Sequence, residues 1–241
     1  MYDDPRLLHG AAGTPDTATV LSDLGLSATD VIGIVRAASA LLGHIATQDL
    51  HALPSALLTE LPVAVEQHSR VVEAARARAL SAVEADGTWA LNPHRSVRGW
   101  YAETAGLTPA QAGRHIARSR VLREHLPGFG AELAAGRVPV AAVDALAATL
   151  KGSPARTEAL ADEVAGESFL ADAATRLSAG DFRTLTAQWA ATVDPEAQER
   201  AWRESIERQE VTLAATLGGW HLAGWLAHET GLVLRTALGA V

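Results

Sequence analysis

The chain is 241 residues long, 48% hydrophobic and 20% charged, with a formal net charge of −8. That balance suits a folded protein with a sizeable core and excludes a disordered tail or a uniformly basic nucleic-acid coat. Its lack of cysteine excludes disulfides and thiolate-held zinc or iron–sulfur centres, while the acid-led N-terminus and the absence of a long apolar run predict a cytoplasmic chain with no membrane contact.

Residues 1–26 carry Gly, Pro, Asp and Thr without sustained periodicity and read as a flexible N-terminal arm. A helical domain is expected over 27–150. Its first helix starts after Ser27, with Asp30 in the opening turn, and sets Val31, Ile34, Val35, Ala38, Leu41, Leu42 and Ile45 on one apolar face expected to pack. Pro54 and Pro62 bound a short helix. A long one follows from Val63 to Asp86, with Val65, Val72, Ala75, Ala79 and Val83 as its core face; Arg70, Arg76 and Arg78 point elsewhere and are expected to pair with Glu66 and Glu73, the alternative being contact with phosphates flanking the helix-turn-helix unit.

Ser96 to Leu126 is the most informative stretch. Ser96 caps a short helix that ends before Gly106; Thr108 caps a second, with Pro109 at its first position. The short connection and the Ala102-x-x-x-Gly106 spacing resemble a helix-turn-helix pattern. On the second helix Ala112, Ile116, Ser119, Leu122 and Leu126 form the packing stripe, while Gln111, Arg114, Arg118 and His125 face outward. Gln pairs with adenine and Arg with guanine through two bonds each. The expected DNA contacts are therefore Gln111, Arg114, His115 and Arg118, with Arg98 extending the basic patch. Residues 67–125 hold nine arginines against five acids, so a local positive surplus sits within an acidic chain. Two features fit the pattern less well: His115 stands where an apolar residue is usual, and Gly113 costs the helix about 1 kcal/mol relative to alanine.

Beyond Pro127, a short helix closed by Gly136 and another from Pro139 to Leu150 bring Phe129, Leu133, Val138, Val143 and Leu146 into a core. Residues 151–241 are expected to pack on the same domain: helices over 155–165, 167–177 and 182–193, then a charged helix anchored by Trp202 and Ile206. From Glu210 the period becomes that of a strand; Gly218-Gly219 is the expected turn, and a helix over 229–238 closes the chain. A lone hairpin is marginal in water, so it must meet helices or another chain. The fold class is mainly α, a multi-helix domain containing a helix-turn-helix-like unit, with a C-terminal β-hairpin and closing helix.

The chemistry is sparse. The nine histidines show no metal-binding spacing, and neither a phosphate-binding glycine loop nor a nucleophile elbow is present. No catalytic residue, metal or other cofactor is expected. The segments HRSVRGWYAETAGLTPAQAGRHIARSRVL, LPGFGAELAAGRVPVAAVDAL and VTLAATLGGWHLAGWLAHETGLVLRTAL together resemble the actinobacterial domain-of-unknown-function 222 family. That family's helical region commonly precedes an HNH endonuclease domain. Leu126 to Leu146 is also similar, more weakly, to the segment after the helix-turn-helix of partition-type DNA-binding proteins. The resemblance implies a DNA-binding or target-recognition module, with cleavage expected only where an HNH domain follows. The alternative is an interaction or homodimerisation module, in which the arginines merely form a solvated face.

Overall fold

The computed structural model describes residues 16–91 and 93–239, with side chains except at 197, 198, 201, 202 and 205. It is mainly helical and divides into two compact units, the first reaching Leu61 and the second running from Pro62.

The first unit contains helices α1 (Thr17–Asp23) and α2 (Val31–Ala46) and the start of α3 (Ser55–Asp86). The first of these falls inside the stretch expected as an arm, whose first fifteen residues lie outside those described. Asp30 caps α2 by accepting from the Gly33 amide at 2.8 Å. The apolar face of α2 exists, yet it does not pack as expected: no residue of this helix is buried, and Val31, Val35 and Leu41 are exposed. Pro62, read from the sequence as a boundary between two helices, instead lies inside the single helix α3.

The second unit is built on α3, α4 (Val97–Thr104), α5 (Pro109–Glu124), α6 (Pro127–Ala134), α7 (Val140–Leu150), α8 (Pro154–Glu158), α9 (Glu167–Arg176) and α10 (Ala179–Val193). Its core runs from Ala74 and Ala77 through Leu126, Phe129, Leu133, Val143 and Leu146 to Leu170, Phe182 and Trp189. Residues 159–193 thus share one interior with the helices before them, whereas no described residue beyond 193 joins that cluster. The helix expected over 155–165 is shorter, a helical turn over Pro154–Glu158 followed by a tighter one over Ala159–Ala161.

The buried face of α3 is Glu73, Ala74, Ala77 and Leu80; of the expected stripe only Val83 packs, half-buried beside Leu80, while Val65 and Val72 are exposed. Small alanines let the α3 backbone approach its neighbours closely, and that approach carries Glu73 inward with them. At the end of α6, Gly136 has φ +71°, and a Cβ there would stand 3.2 Å from the Gln67 carbonyl oxygen. Glycine is needed both for the turn and for the contact with α3.

Next come α11 (Pro195–Glu207), strands β1 (Glu210–Thr216) and β2 (Gly219–Trp225), and α12 (His228–Gly239). Ile206 on α11 is exposed, and the Trp202 side chain lies outside those described. The strands pair antiparallel from Glu210↔Trp225 to Thr216↔Gly219. This register puts Leu217 and Gly218 at the tip, one residue earlier than the expected Gly-Gly turn, because Gly219 already pairs across the ladder. Every residue of both strands is exposed.

Candidate nucleic-acid interface

Local chemistry sets the α4–α5 unit. The Ser96 hydroxyl accepts from the Gly99 amide at 3.1 Å and starts α4. The helix ends with the Leu107 amide donating to the Ala102 carbonyl at 2.8 Å and the Gly106 amide to Glu103 at 3.3 Å, while Gly106 adopts φ +65°. These paired bonds satisfy the terminal carbonyls and reverse the chain. Thr108 then opens α5 with a reciprocal capping box: its hydroxyl accepts from the Gln111 amide, and Gln111 Oε1 accepts from the Thr108 amide at 2.9 Å.

Packing holds this unit in place. Ala112, Ile116, Ser119, Leu122 and Leu126 are all buried, as the periodicity requires. Ile116 joins Leu80 of α3 and Val97 of α4 in a small cluster edged by Trp89, Trp100 and Tyr101. The Ser119 hydroxyl donates to the Ala77 carbonyl at 2.6 Å, tying α5 to α3 without a charge.

The expected outward row separates into different environments. Arg118 is only 7% exposed, so its expected outward orientation is corrected. Its Nε and Nη2 donate to the two Asp144 carboxylate oxygens at 2.9 and 2.7 Å, and its Nη1 donates to Glu73, which Arg76 also contacts. Helical angle places Arg118 on the polar side, but α3 and α7 bring carboxylates over it. This guanidinium is a structural clasp.

Gln111 is exposed, yet its amide oxygen also accepts from the Thr108 hydroxyl at 2.8 Å. With both lone pairs committed, it lacks the free acceptor needed to pair with adenine. The capping box can be read in the sequence as Thr108-x-x-Gln111, a signal that competes directly with the base-reading role.

His115 is half-buried beside Tyr101, their rings 6.0 Å apart, with Nδ1 3.5 Å from the phenol oxygen. Burial, followed by the neighbouring Arg76, Arg118 and Arg114 charges, pushes its pKa below the ordinary histidine value. The shift favours the neutral ring, which weakens any contribution of His115 to the positive charge of the face.

Arg114 and Arg98 are exposed and make no ion pair among the described residues; Arg95, which the motif did not single out, behaves the same way. The Arg98 Cδ lies 3.4 Å from where a Cβ on Gly113 would stand, so its stem crosses from α4 onto α5 near Arg114. Further along α5 the arrangement reverses. Arg120 donates to Glu84 at 2.9 Å, and Arg123 reaches Glu84 at 3.3 Å. The Arg120 hydrogen bond is the main cause holding the Glu84 pKa below its ordinary value. Over residues 95–125 the unpaired arginines thus lie just before α4, on α4 and at the start of α5, while Arg78 of α3 is likewise exposed and makes no ion pair among the described residues.

Gly113 leaves room for the Arg98 stem but does not require glycine, since 3.4 Å is ordinary van der Waals contact. Gly113→Ala is expected to raise the unfolding free energy by about 1 kcal/mol through helix propensity. Urea denaturation measures this, and a loss of stability would show that Arg98 is pinned.

Among the described residues no cluster of three or more His, Asp or Glu could hold a metal ion. No described helix is long and apolar enough to cross a membrane. A trough of about 550 Å³ bounded by α3, α5 and α6 is lined largely by alanine, including Ala74, Ala77 and Ala131. A family model described as "Domain of unknown function (DUF222)" matches residues 56–241. Neither a curated protein nor a solved structure matches the chain.

Proposed function

The chain belongs to the domain-of-unknown-function 222 family, and on that premise we propose that its second unit is a DNA-binding module in which α4 and α5 act as a helix-turn-helix. The observation that carries this reading is the sorting of the arginines. Arg95, Arg98 and Arg114 stand exposed without carboxylate partners among the described residues, whereas Arg118, Arg120 and Arg123 are neutralised. In this geometry the first turns of the second helix reach the bases and the following turns support it.

Arg114 is the residue that reads a base edge, through a bidentate contact with guanine. Arg95 and Arg98 bind phosphate, and Gln111 contributes only its amide N–H groups. Arg118 is withdrawn from the contact set, and His115, its neutral form favoured, borders it. Glu103 on α4, 3.5 Å from His94, is the carboxylate on this part of the unit and limits how strongly it attracts DNA. A net charge of −8 makes non-specific binding weak and salt-sensitive. The sequence resemblance supports a target-recognition role beside an HNH nuclease in an actinobacterial cytoplasm, with strand cleavage belonging to the nuclease.

Fluorescence anisotropy with duplex DNA at low salt tests the assignment. Wild type binds, and Arg98→Ala/Arg114→Ala loses at least tenfold in affinity, with a salt slope shallower by about 1 for the one phosphate contact removed with Arg98. Arg120→Ala, on the same helix but neutralised by Glu84, changes affinity by less than about twofold. Absence of wild-type binding, or equal binding by the double variant, overturns the proposal.

A further inference from the structure

Alternation along the hairpin produces two unlike faces. The pairs Val211↔Gly224, Leu213↔Leu222 and Ala215↔Trp220 place six apolar residues on one side. The other side carries Glu210, Thr212, Thr216 and His221 along with Trp225. The apolar face contains no charged side chain and one polar group, the Trp220 indole N–H, yet Leu213 is 60% and Trp220 71% exposed. A patch of this size is of the kind that often serves a contact, and a two-stranded sheet gains little stability alone.

We propose that this face is the contact between two copies of the chain. Its chemistry fits itself: about a twofold axis, the same uncharged surface meets its own copy, so no like charges are forced together. This matters because each chain carries −8 and two copies otherwise repel. On α11, the preceding helix, and at the residue just after it, charge is largely neutralised internally by Arg200–Glu196, Arg203–Glu199 and Arg208–Glu204 pairs. A differently charged partner has nothing on the apolar face to select it.

Area makes this a weak, concentration-dependent contact. Val211, Leu213, Trp220 and Leu222 leave roughly 450 Å² exposed per copy, somewhat more than half of the ~800 Å² that a standard interface takes from each partner. The free backbone edges of both strands and the exposed Val233 and Leu238 of α12 offer further area. Face-to-face packing of the hairpins forms a small four-stranded sandwich with sheets about 10 Å apart. The pairing does not depend on DNA, so neither proposal stands or falls with the other.

Sedimentation of the whole chain from ~1 to ~200 µM tests it. The expected result is a rise from the 25.2 kDa monomer to twice that mass. Leu213→Glu/Trp220→Glu remains monomeric while keeping the wild-type helical circular dichroism, because both side chains lie outside the core. Trp225→Glu, on the opposite face, leaves the association midpoint within about threefold, less than one hot-spot contact is worth. A monomeric wild type overturns the proposal and leaves the face to another partner. Undiminished association of the double variant, an equal loss with Trp225→Glu, or an open ladder of oligomers overturns it as well.

Discussion

Replacing Arg118 with alanine lowers the unfolding free energy by about 3 kcal/mol, the lower end of what breaking a buried ion pair costs. The guanidinium holds two Asp144 oxygens and Glu73, and its removal leaves the Glu73 carboxylate, itself 7% exposed, short of a partner. Arg76 still reaches Glu73, which keeps the loss from the upper end of that range. Arg114→Ala, on the same helix, changes stability by no more than about 0.5 kcal/mol, as expected of an exposed site. Urea denaturation of the two variants separates clasp from contact. A pair Glu73→Leu/Arg118→Met recovers most of the loss, because removing both charges leaves no buried ion unpaired. Equal stability of Arg118→Ala and Arg114→Ala would show that the clasp contributes nothing.

Phe182→Ala is expected to cost about 3–5 kcal/mol, the range for deleting a large ring from a closed core. Phe182 of α10 is 1% exposed and meets the fully buried Phe129 of α6 at a ring separation of 6.1 Å. The Phe129 amide also donates to Glu167 of α9 at 2.9 Å, so α6 is held from two sides. This substitution lies far along the chain from α5, yet it should lower the melting of α4–α5 together with that of α10, as one cooperative transition. Circular dichroism and tryptophan fluorescence give coincident midpoints on this account. Transitions that separate, with α4–α5 unaffected, would mean that residues beyond 150 fold apart from those before them.

Much of the architecture could be read from spacing. The Ser96, Thr108 and Pro109 signals gave the ends of α4 and α5; Gly106 and Gly136 marked the left-handed turns; strict alternation after Glu210 gave the hairpin. All of these depend on neighbours within a few residues, where backbone sterics and local hydrogen bonds dominate. The capping box at Gln111 is equally local and equally legible, and it competes with base recognition for the same amide oxygen. The hairpin turn moved by one residue because either Leu217-Gly218 or Gly218-Gly219 can close it, and only the cross-strand partner of Gly219 decides.

Local spacing sets where helices begin and end, which side of α5 is apolar, and that a two-faced hairpin follows. Packing between elements alone decides that Glu73 and Asp144 close over Arg118, that α3 turns Ala74 and Ala77 inward in place of Val65 and Val72, and that α2 keeps an apolar face exposed. The physical reason is that periodicity fixes a residue's angle about its own axis, whereas exposure and charge depend on which other element occupies that direction. Arg114 and Arg118 lie on the same side of one helix; packing of α3 and α7 makes the second a brace and leaves the first in solvent.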